Sequence, residues 1–294
     1  MKISEILKRD ECGLSFEVFP PKTDTKYESV KDATEKIAEL NPSFVSVTYG
    51  AGGGTSQYTL DIAKNIKDNR GVTSLAHLTC VSSDKGTVMQ RLDAMKEAGI
   101  ENVMALRGDL TEELMKTDPS KWAYKHAIEL IRDIKESGCD FCIGAACYPE
   151  IHPDSSNQRE DIKYLKEKVD AGVSFLTTQM FFDNSLFFSF LYKIREAGIT
   201  VPVLPGIMPI TNANQVERAI KLSGSFMPYR FKSIVDHFGR DPLAMKQAGI
   251  AYATDQIIDL YANGIKNVHV YSMNKPDVAA AISHNLSDIL GKKF

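Results

Sequence analysis

The sequence has no hydrophobic run long enough to cross a membrane. Its longest uncharged stretch of interest, residues 197–216, is 20 residues long but contains Pro202, Pro205 and Pro209 together with several polar side chains. A membrane-spanning helix needs about 20 predominantly apolar residues. Residues 1–11 alternate charged and apolar side chains, which predicts a short amphipathic helix and not a signal peptide.

Charge of one sign and cysteine pairs are also scarce. The 294 residues carry 35 Lys and Arg against 38 Asp and Glu, a net charge of −3 without a basic run. A nucleic-acid or anionic-membrane partner is therefore not expected. The five cysteines are an odd number, which suits a reducing compartment, and we expect a cytoplasmic protein. Cys139 and Cys142 lie in a predicted strand, where buried thiols are favoured over a metal or redox pair.

Common catalytic motifs are missing as well. The chain has no G-x-G-x-x-G, no Walker loop and no G-x-S-x-G elbow. No lysine falls at a predicted strand end, which disfavours a Schiff-base aldolase. The glycine-rich residues 50–54 fit a loop against a cofactor and a mobile loop equally well. Polar groups without a nucleophile, metal set or imine lysine suggest that an organic cofactor carries the chemistry.

What the sequence does have is a recurring junction. Five helical patterns end in a small or polar residue and a glycine, after which a short apolar run begins, at Gly99, Gly138, Gly172, Gly198 and Gly264. A glycine in the left-handed conformation ends a helix and lets the chain enter a strand. The repetition indicates successive βα units.

These junctions predict eight strands, each followed by a helix. The strands are expected at residues 14–19, 44–49, 74–79, 102–106, 141–146, 174–180, 201–207 and 267–271. The helices are expected at 27–40, 56–68, 85–98, 121–137, 158–171, 185–197, 212–222, 242–263 and 277–290. Continuous apolar strands favour a single (β/α)8 TIM barrel over residues 1–294 against a doubly wound sheet. An N-terminal helix precedes it, and an extra helical segment with aromatic residues 226–238 separates strands seven and eight.

The active site of such a barrel lies at the C-terminal ends of its strands. Glu17 ends an apolar strand, where burial would raise the pKa of its carboxyl group and make it a general acid. The alternative is a structural carboxylate paired with Arg or Lys. Arg107, Gly108 and Asp109 follow another strand and fit either the polar edges of a planar heterocycle or a loop salt bridge. His77 and His152 fit hydrogen-bond donors or rim histidines better than metal ligands, so no metal site is predicted.

Eight short motifs lie at these strand ends or beside them. They are FEVFPPK at 16–22, VSVTYGA at 45–51, HLTC at 77–80, ALRGD at 105–109, YPEIHP at 148–153, KVDAG at 168–172, TQMFFD at 178–183 and PGIMP at 205–209. In this order they resemble the methylenetetrahydrofolate reductase family, the flavin-dependent barrels of one-carbon metabolism and methionine biosynthesis. The resemblance covers essentially the whole chain.

The resemblance implies that FAD binds at the barrel mouth and is reduced by NADH or NADPH, which leaves before folate enters. Hydride then passes from flavin N5 to 5,10-methylenetetrahydrofolate, giving 5-methyltetrahydrofolate. Glu17 matches the general acid of the family, and Asp109 matches a carboxylate beside flavin and pterin. The matching flavin contacts are Thr48, Tyr49, Ala51, His77, Arg107, Gly108, Asp109, Tyr148, His152, Asp161 and Lys168. The matching folate contacts are Asp109, Gln179, Gln215 and Lys275.

Two positions depart from the family pattern. Ala219 stands where some bacterial relatives carry a phenylalanine that packs on nicotinamide or folate. Lys275 stands where arginine is common, which removes bidentate recognition of the folate tail. Residues 116–126 match the family poorly, so the adenine-side contacts of FAD are not assigned. The resemblance otherwise implies the short bacterial type without a regulatory domain, and a homo-oligomer.

Two other functions stay open at this point. One is a flavin-free, pterin-binding barrel that transfers a methyl group to a corrinoid protein. The other is a non-catalytic subunit of a redox complex, although Glu17 and Asp109 argue against a dead site. The electron donor is also open between NADH, NADPH and a redox partner subunit, because no dinucleotide fingerprint is present.

Overall fold

Nine parallel strands form one sheet at the centre of this computed structural model, which describes residues 1–21, 23–49, 56–110 and 112–292. The strands are β1 Gly13–Val18, β2 Val45–Val47, β3 Ser74–Thr79, β4 Asn102–Leu106, β5 Cys142–Cys147, β6 Phe175–Thr178, β7 Val203–Leu204, β8 Gly206–Ile207 and β9 Asn267–Tyr271. Their order in the sheet is β7-β6-β5-β4-β3-β2-β1-β9-β8. The sheet is therefore a nearly closed barrel, and the predicted TIM-barrel class is confirmed.

Helices follow the strands along the described part of the chain. They are α1 Ile3–Ile6, α2 Tyr27–Ala38, α3 Ser56–Arg70, α4 Lys85–Glu97, α5 Glu112–Met115, α6 Ala127–Glu136, α7 Gln158–Asp170, α8 Asn184–Glu196, α9 Asn214–Ser223, α10 Tyr229–Phe238, α11 Pro242–Ala262, α12 Pro276–Asn285 and α13 Ser287–Leu290. The five junction glycines all have positive φ angles, from 68° to 116°. The helix-to-strand junctions predicted from the sequence are confirmed.

The seventh predicted strand, residues 201–207, is wrong in one respect, because it is two strands and not one. Proline has no N–H group for the sheet ladder, and Pro205 separates β7 from β8. β7 pairs with β6 on one edge, and β8 pairs with β9 on the other. The N–H of Gly206 instead donates to Thr178 Oγ1 at 2.8 Å. The continuous chain through Pro205 thus joins the two edges of the sheet.

Three predicted helices also differ at their ends. The helix expected from residue 121 begins at Ala127, because Glu129 accepts the N–H groups of Lys125 and His126 and caps the helix there. The last helix is broken between α12 and α13. The predicted N-terminal helix is only one turn long, Ile3–Ile6. The aromatic segment predicted between the seventh and eighth strands, which lies between β8 and β9, contains α10.

Apolar side chains fill both the space under the helices and the N-terminal part of the barrel interior. The interior cluster contains Ile3, Ile6, Phe44, Leu75, Met104, Cys142, Phe175 and Leu204. Ile3 and Ile6 of α1 are buried, and the N–H of Ile3 donates to Asn102 Oδ1 at 2.8 Å, at the start of β4. The N-terminal helix therefore closes this end of the barrel and leaves the opposite end as the mouth.

None of the helices among the described residues has the length and apolar character that a bilayer crossing requires.

Candidate active site

Glu17 lies inside the barrel near the C-terminal end of β1. Side chains alternate along a strand, so Ser15 and Glu17 share the interior face while Phe16 and Val18 face the helices. Glu17 is 9% exposed, and burial raises the pKa of its carboxyl group to about 8. It therefore carries a proton at neutral pH. In the described part of the chain no Lys or Arg forms an ion pair with it, contrary to the structural alternative.

His77 on β3 is the polar side chain that faces Glu17. Its Nε2 atom lies 3.7 Å from Glu17 Oε2, which is too long for a hydrogen bond. Burial lowers the pKa of His77 to about 3, so both groups are uncharged at neutral pH. Nε2 is buried and has no hydrogen-bond partner among the described residues. A buried polar atom of this kind normally has a partner, so it is available to a ligand.

A second buried histidine lies deeper in the barrel and was missed by sequence reasoning. His269 Nδ1 lies 2.7 Å from Ser15 Oγ, and its Nε2 lies 3.0 Å from Ser46 Oγ. Because Ser15 Oγ donates its own hydrogen to the carbonyl of Val268 at 3.1 Å, it accepts a hydrogen bond from Nδ1–H, and Ser46 Oγ donates to Nε2. Burial lowers the pKa of His269 to about 3. Ser15, Ser46 and His269 thus form a neutral, hydrogen-bonded layer inside the barrel next to Glu17.

Residues after β9 hold the end of β1 in place. Ser272 donates from both its N–H and its Oγ to the carbonyl of Glu17. Asn274 accepts the N–H of Phe19 at 2.7 Å and donates to the carbonyl of Phe19 at 2.8 Å. Tyr271 donates to the carbonyl of Thr178, and burial and the nearby Glu17 raise its pKa.

The Arg107-Gly108-Asp109 turn follows β4, and its glycine has a clear steric reason. Gly108 has a φ angle of +92°, and a Cβ atom there would lie 2.9 Å from Thr79 Cβ. Arg107 Nη1 donates to Asp154 Oδ2 at 2.6 Å, and this hydrogen bond lowers the pKa of Asp154. Asp109 is exposed. The turn thus contains a loop salt bridge, but it is made with Asp154 and leaves the carboxylate of Asp109 exposed to solvent.

Four predicted flavin contacts come together beyond β5. The rings of Tyr148 and His152 meet edge to face at 4.5 Å between centroids. Asp161 Oδ2 accepts the N–H of His152 at 3.1 Å. Lys168 donates to the carbonyl of Ala146 at 2.8 Å, and burial lowers the pKa of both Lys168 and His152. The cluster combines an aromatic surface with a cation and a polar ring.

The first of the predicted flavin contacts lie on the opposite side of the mouth. The N–H of Thr48 donates to the carbonyl of Val18 at 3.0 Å. The guanidinium carbon of Arg91 lies 5.3 Å from the centroid of the Tyr49 ring. Ala51 and the glycine-rich residues 50–54 lie outside the described residues, so this part of the prediction stays a prediction.

Two of the predicted folate contacts meet at a residue that sequence reasoning did not single out. Thr211 Oγ1 accepts a hydrogen bond from Lys275 Nζ at 2.8 Å, and the N–H of Thr211 donates to Gln215 Oε1 at 3.2 Å. Gln179 lies apart from them after β6, where its Oε1 accepts the N–H of Met180 at 2.9 Å. Ala219 is buried among apolar side chains.

The described side chains contain no group of three or more His, Cys, Asp or Glu residues that could hold a metal ion. All five cysteines are free thiols. Burial raises the pKa of Cys80 and Cys147 to about 12, so these two are protonated and unreactive at neutral pH.

The barrel mouth contains a protonated carboxyl group beside a neutral imidazole, surrounded by aromatic, cationic and amide side chains. This set can donate a proton and bind planar polar rings.

Sequence comparison assigns relatives to the chain. The sequence model of the family described as methylenetetrahydrofolate reductase matches residues 2–287. The chain is 35% identical over 274 residues to 5,10-methylenetetrahydrofolate reductase of Pectobacterium carotovorum subsp. carotovorum, covering 93% of this chain and 90% of the relative. It is 32% identical over 295 residues to methylenetetrahydrofolate reductase (NADH) 1 of Arabidopsis thaliana, covering 97% of this chain but 50% of that protein. The chain thus spans about half the length of the plant relative.

A solved structure supports the architecture. An uncharacterized protein from Clostridium thermocellum that binds two copies of 5-methyl-5,6,7,8-tetrahydrofolic acid superposes with a TM-score of 0.68. The alignment covers 98% of this chain and 99% of the other at 12% sequence identity. At that identity the likeness concerns the fold alone.

Proposed function

This chain belongs to the methylenetetrahydrofolate reductase family, and on that premise we propose that it reduces 5,10-methylenetetrahydrofolate to 5-methyltetrahydrofolate with FAD and NADH or NADPH. The observation that carries the proposal is Glu17, a carboxyl group that burial keeps protonated inside the barrel, near the C-terminal end of β1. A catalytic acid works best when its pKa lies near the operating pH.

The proton of Glu17 has a specific use in this reaction. Opening the methylene bridge breaks its carbon–N10 bond, and the electron pair of that bond needs a proton on N10. Glu17 donates this proton, directly or through one water, which leaves a carbon–N5 iminium ion that accepts hydride. The neutral His77 beside Glu17 adds no positive charge that would lower the pKa of the acid. Product formation thus consumes one proton and one hydride.

The residues around the mouth fit a flavin. FAD, when bound, supplies the chemistry of taking hydride from the nicotinamide nucleotide and giving it to folate in a ping-pong sequence. His77 Nε2 is a buried polar atom without a partner among the described residues, and Gly108 leaves the backbone free of a Cβ atom. We propose Thr48, Tyr49, Ala51, Tyr148, Asp161 and Lys168 as further contacts, with Arg107 and His152 beside them.

The folate is proposed to lie beside the flavin at the barrel mouth. Gln179 offers its amide NH2 group to the pterin, and Asp109 provides an exposed carboxylate that stabilises cationic folate intermediates. Lys275 and Gln215, joined through Thr211, are proposed to bind the folate tail. Because lysine offers a point charge and not a planar fork, we expect its contact with a carboxylate to be monodentate.

The remaining features of the proposal concern the protein as a whole. We propose that residues 1–294 act as a single catalytic domain in the cytoplasm and assemble as a homo-oligomer. NADH is the first donor to test, since the name of the plant relative includes it. NADPH and a redox partner subunit are the other donors that the test distinguishes.

The test begins with colour and then separates the two half-reactions. The purified protein should be yellow and should release FAD on denaturation. Anaerobic stopped-flow mixing with NADH and NADPH then measures flavin bleaching, and mixing the reduced enzyme with methylenetetrahydrofolate measures reoxidation. Glu17→Gln should lower the reoxidation rate by at least about a hundredfold while bleaching stays close to wild type, because only the second half-reaction needs the acid.

A matched control is Glu136→Gln, which removes an exposed carboxylate on α6 and should change neither rate. If Glu17→Gln slows both half-reactions equally with FAD still bound, the role of Glu17 is wrong. A colourless protein that does not bind added FAD would contradict the reductase and favour a flavin-free methyltransferase. A flavin that bleaches only with a protein donor would instead indicate a redox partner subunit.

A further inference from the structure

The segment between α9 and α10, residues 224–228, is tied to the ends of two strands at the barrel mouth. We call it the mouth segment. The Oγ of Ser225 donates to the carbonyl of Met180, just beyond β6, at 2.7 Å. The N–H of Phe226 donates to Glu150 Oε2, just beyond β5, at 2.8 Å. The segment therefore lies across the C-terminal ends of two neighbouring strands.

The mouth segment is also held from the helix that precedes it. Ser223 donates from Oγ to the carbonyl of Ala219 at 2.8 Å and accepts the N–H of Ser225 at 3.1 Å. Ser223 and Ser225 are 4% and 5% exposed. Three connected hydrogen bonds, from α9 to β6, thus fix the backbone on which Phe226 stands.

Phe226 itself is exposed although its backbone is fixed. Its side chain is 56% exposed, while Ser225 before it is buried and Met227 after it packs on the apolar cluster under α9 and α10. Phe226 therefore adds little to the core. Glu150, which holds it, is half-buried, and its second oxygen, Oε1, is buried and has no hydrogen-bond partner among the described residues. Burying a carboxylate costs free energy. The hydrogen bond from the N–H of Phe226 to Glu150 therefore indicates that the position of this N–H group matters.

We propose that Phe226 is a substrate-contacting residue whose ring packs on the aminobenzoyl ring of the folate, and that Glu150 is the positioning residue that holds it there. The place fits this role. Ser225 is bonded to Met180, which directly follows Gln179, the proposed pterin contact. The aminobenzoyl ring follows the pterin in folate, so it lies within reach of a ring one residue beyond Ser225. A fixed aromatic ring can stack on it without a large loss of side-chain entropy.

This inference rests on the proposed reductase function, and its test uses the FAD-loaded full-length enzyme. Phe226→Ala should raise the KM for methylenetetrahydrofolate about tenfold, which corresponds to one lost aromatic pair. The rate of flavin bleaching by the nucleotide and the kcat of folate reduction should stay within about twofold of wild type, because ground-state and transition-state binding are lost together. Phe226→Tyr should retain the wild-type KM.

Glu150 provides the second arm. Glu150→Ala should raise the KM for methylenetetrahydrofolate in the same way. Glu150→Gln keeps an oxygen acceptor for the N–H of Phe226, so its KM should equal that of wild type. The double variant with Phe226→Ala should be no worse than Phe226→Ala alone, because both changes remove one contact. Tyr229→Ala is the matched control, since Tyr229 begins α10 and is 84% exposed without such anchoring, and its KM should be unchanged.

Three results would overturn the inference. An unchanged KM in Phe226→Ala, with wild type active on folate, would refute the role of Phe226 and leave the reductase function standing. Slower bleaching by the nucleotide with an unchanged folate KM would mean that the ring contacts the nucleotide instead. A wild-type protein that binds FAD but does not reduce folate would refute both the function and this inference.

Discussion

Glu17 shows how a single buried side chain sets a pH range. Its pKa is about 8 because burial disfavours the carboxylate. The polar side chains that face it do not titrate in the same range, since burial lowers the pKa of His77 and His269 to about 3 and raises that of Tyr271 above its ordinary value. The protonated acid is thus the main form below pH 8, and its fraction falls as the pH rises through that value.

A pH profile of the folate half-reaction tests this assignment. The rate of reoxidation of reduced enzyme by methylenetetrahydrofolate should be flat from about pH 6 to 7.5 and then fall about tenfold per pH unit above 8. Flavin bleaching by the nucleotide should not follow the same curve. A reoxidation rate that stays constant up to pH 9.5 would contradict a proton donor with this pKa.

At the residue scale the sequence predicted the burial of Glu17 but not its surroundings. The apolar neighbours of Glu17 were enough to predict burial and a raised pKa. The layer formed by Ser15, Ser46 and His269 could not be predicted, because it depends on the register among β1, β2 and β9. A small signal was present, since Ser15 and Glu17, like His269 and Tyr271, are polar at every second position of otherwise apolar strands.

Among the elements, α11 packs closely on the loop that holds Ile210 and Thr211, next to two of the proposed folate contacts. At Gly249 a Cβ atom would lie 1.8 Å from the carbonyl oxygen of Ile210, so the helix can pack here only with glycine. Ile210 precedes Thr211, which accepts a hydrogen bond from Lys275 Nζ and donates one from its N–H to Gln215 Oε1. The packing of α11 thus sets the position of the loop residue that contacts Lys275 and Gln215, the two proposed folate contacts.

Gly249→Ala should therefore have two effects. The clash should destabilise the protein by about 1–3 kcal/mol and displace Ile210, which would also raise the KM for folate. Thermal unfolding and steady-state kinetics measure the two effects. Ala251→Gly, at an exposed position of the same helix, should cost about 1 kcal/mol through helix propensity and leave KM unchanged. Equal KM values in the two variants would show that α11 does not position this loop.

The elements were mostly predictable because the signals that define them are local. Glycine at a helix end and an apolar run after it depend on neighbouring residues alone, and five such junctions were enough to predict the barrel. The division of the seventh strand at Pro205 was missed, although a proline inside a predicted central strand is a known contrary signal. The late start of α6 depends on the capping side chain of Glu129, which the apolar periodicity does not show.

At the scale of the whole molecule, the barrel is closed by a chain segment and not by a continuous ladder. β7 and β8 bond to opposite neighbours, and the N–H of Gly206 depends on the side chain of Thr178. This hydrogen bond is buried, so losing its acceptor leaves a backbone donor without a partner inside the protein.

Thr178→Val and Thr177→Val form a matched pair at this point. Thr178→Val should lower the free energy of unfolding by about 1–3 kcal/mol, because the N–H of Gly206 loses its acceptor. Thr177→Val should cost less than about 0.5 kcal/mol, because the buried Oγ1 of Thr177 has no partner among the described residues. Urea unfolding followed by circular dichroism measures both values. Equal losses would show that this hydrogen bond contributes little to closure.

The closure of the N-terminal end of the barrel by α1 has a consequence for the order in which the chain folds during synthesis. Ile3 and Ile6 are made before the strands that surround them, and their interior cluster ends at Leu204. Asn102, which receives the N–H of Ile3, also emerges later. While a ribosome is still making the second half of the chain, the first turn of helix has no complete pocket to enter. The helix can dock into a complete pocket only after β7 has been made, and the barrel itself closes later still, when β9 pairs with β1 and β8.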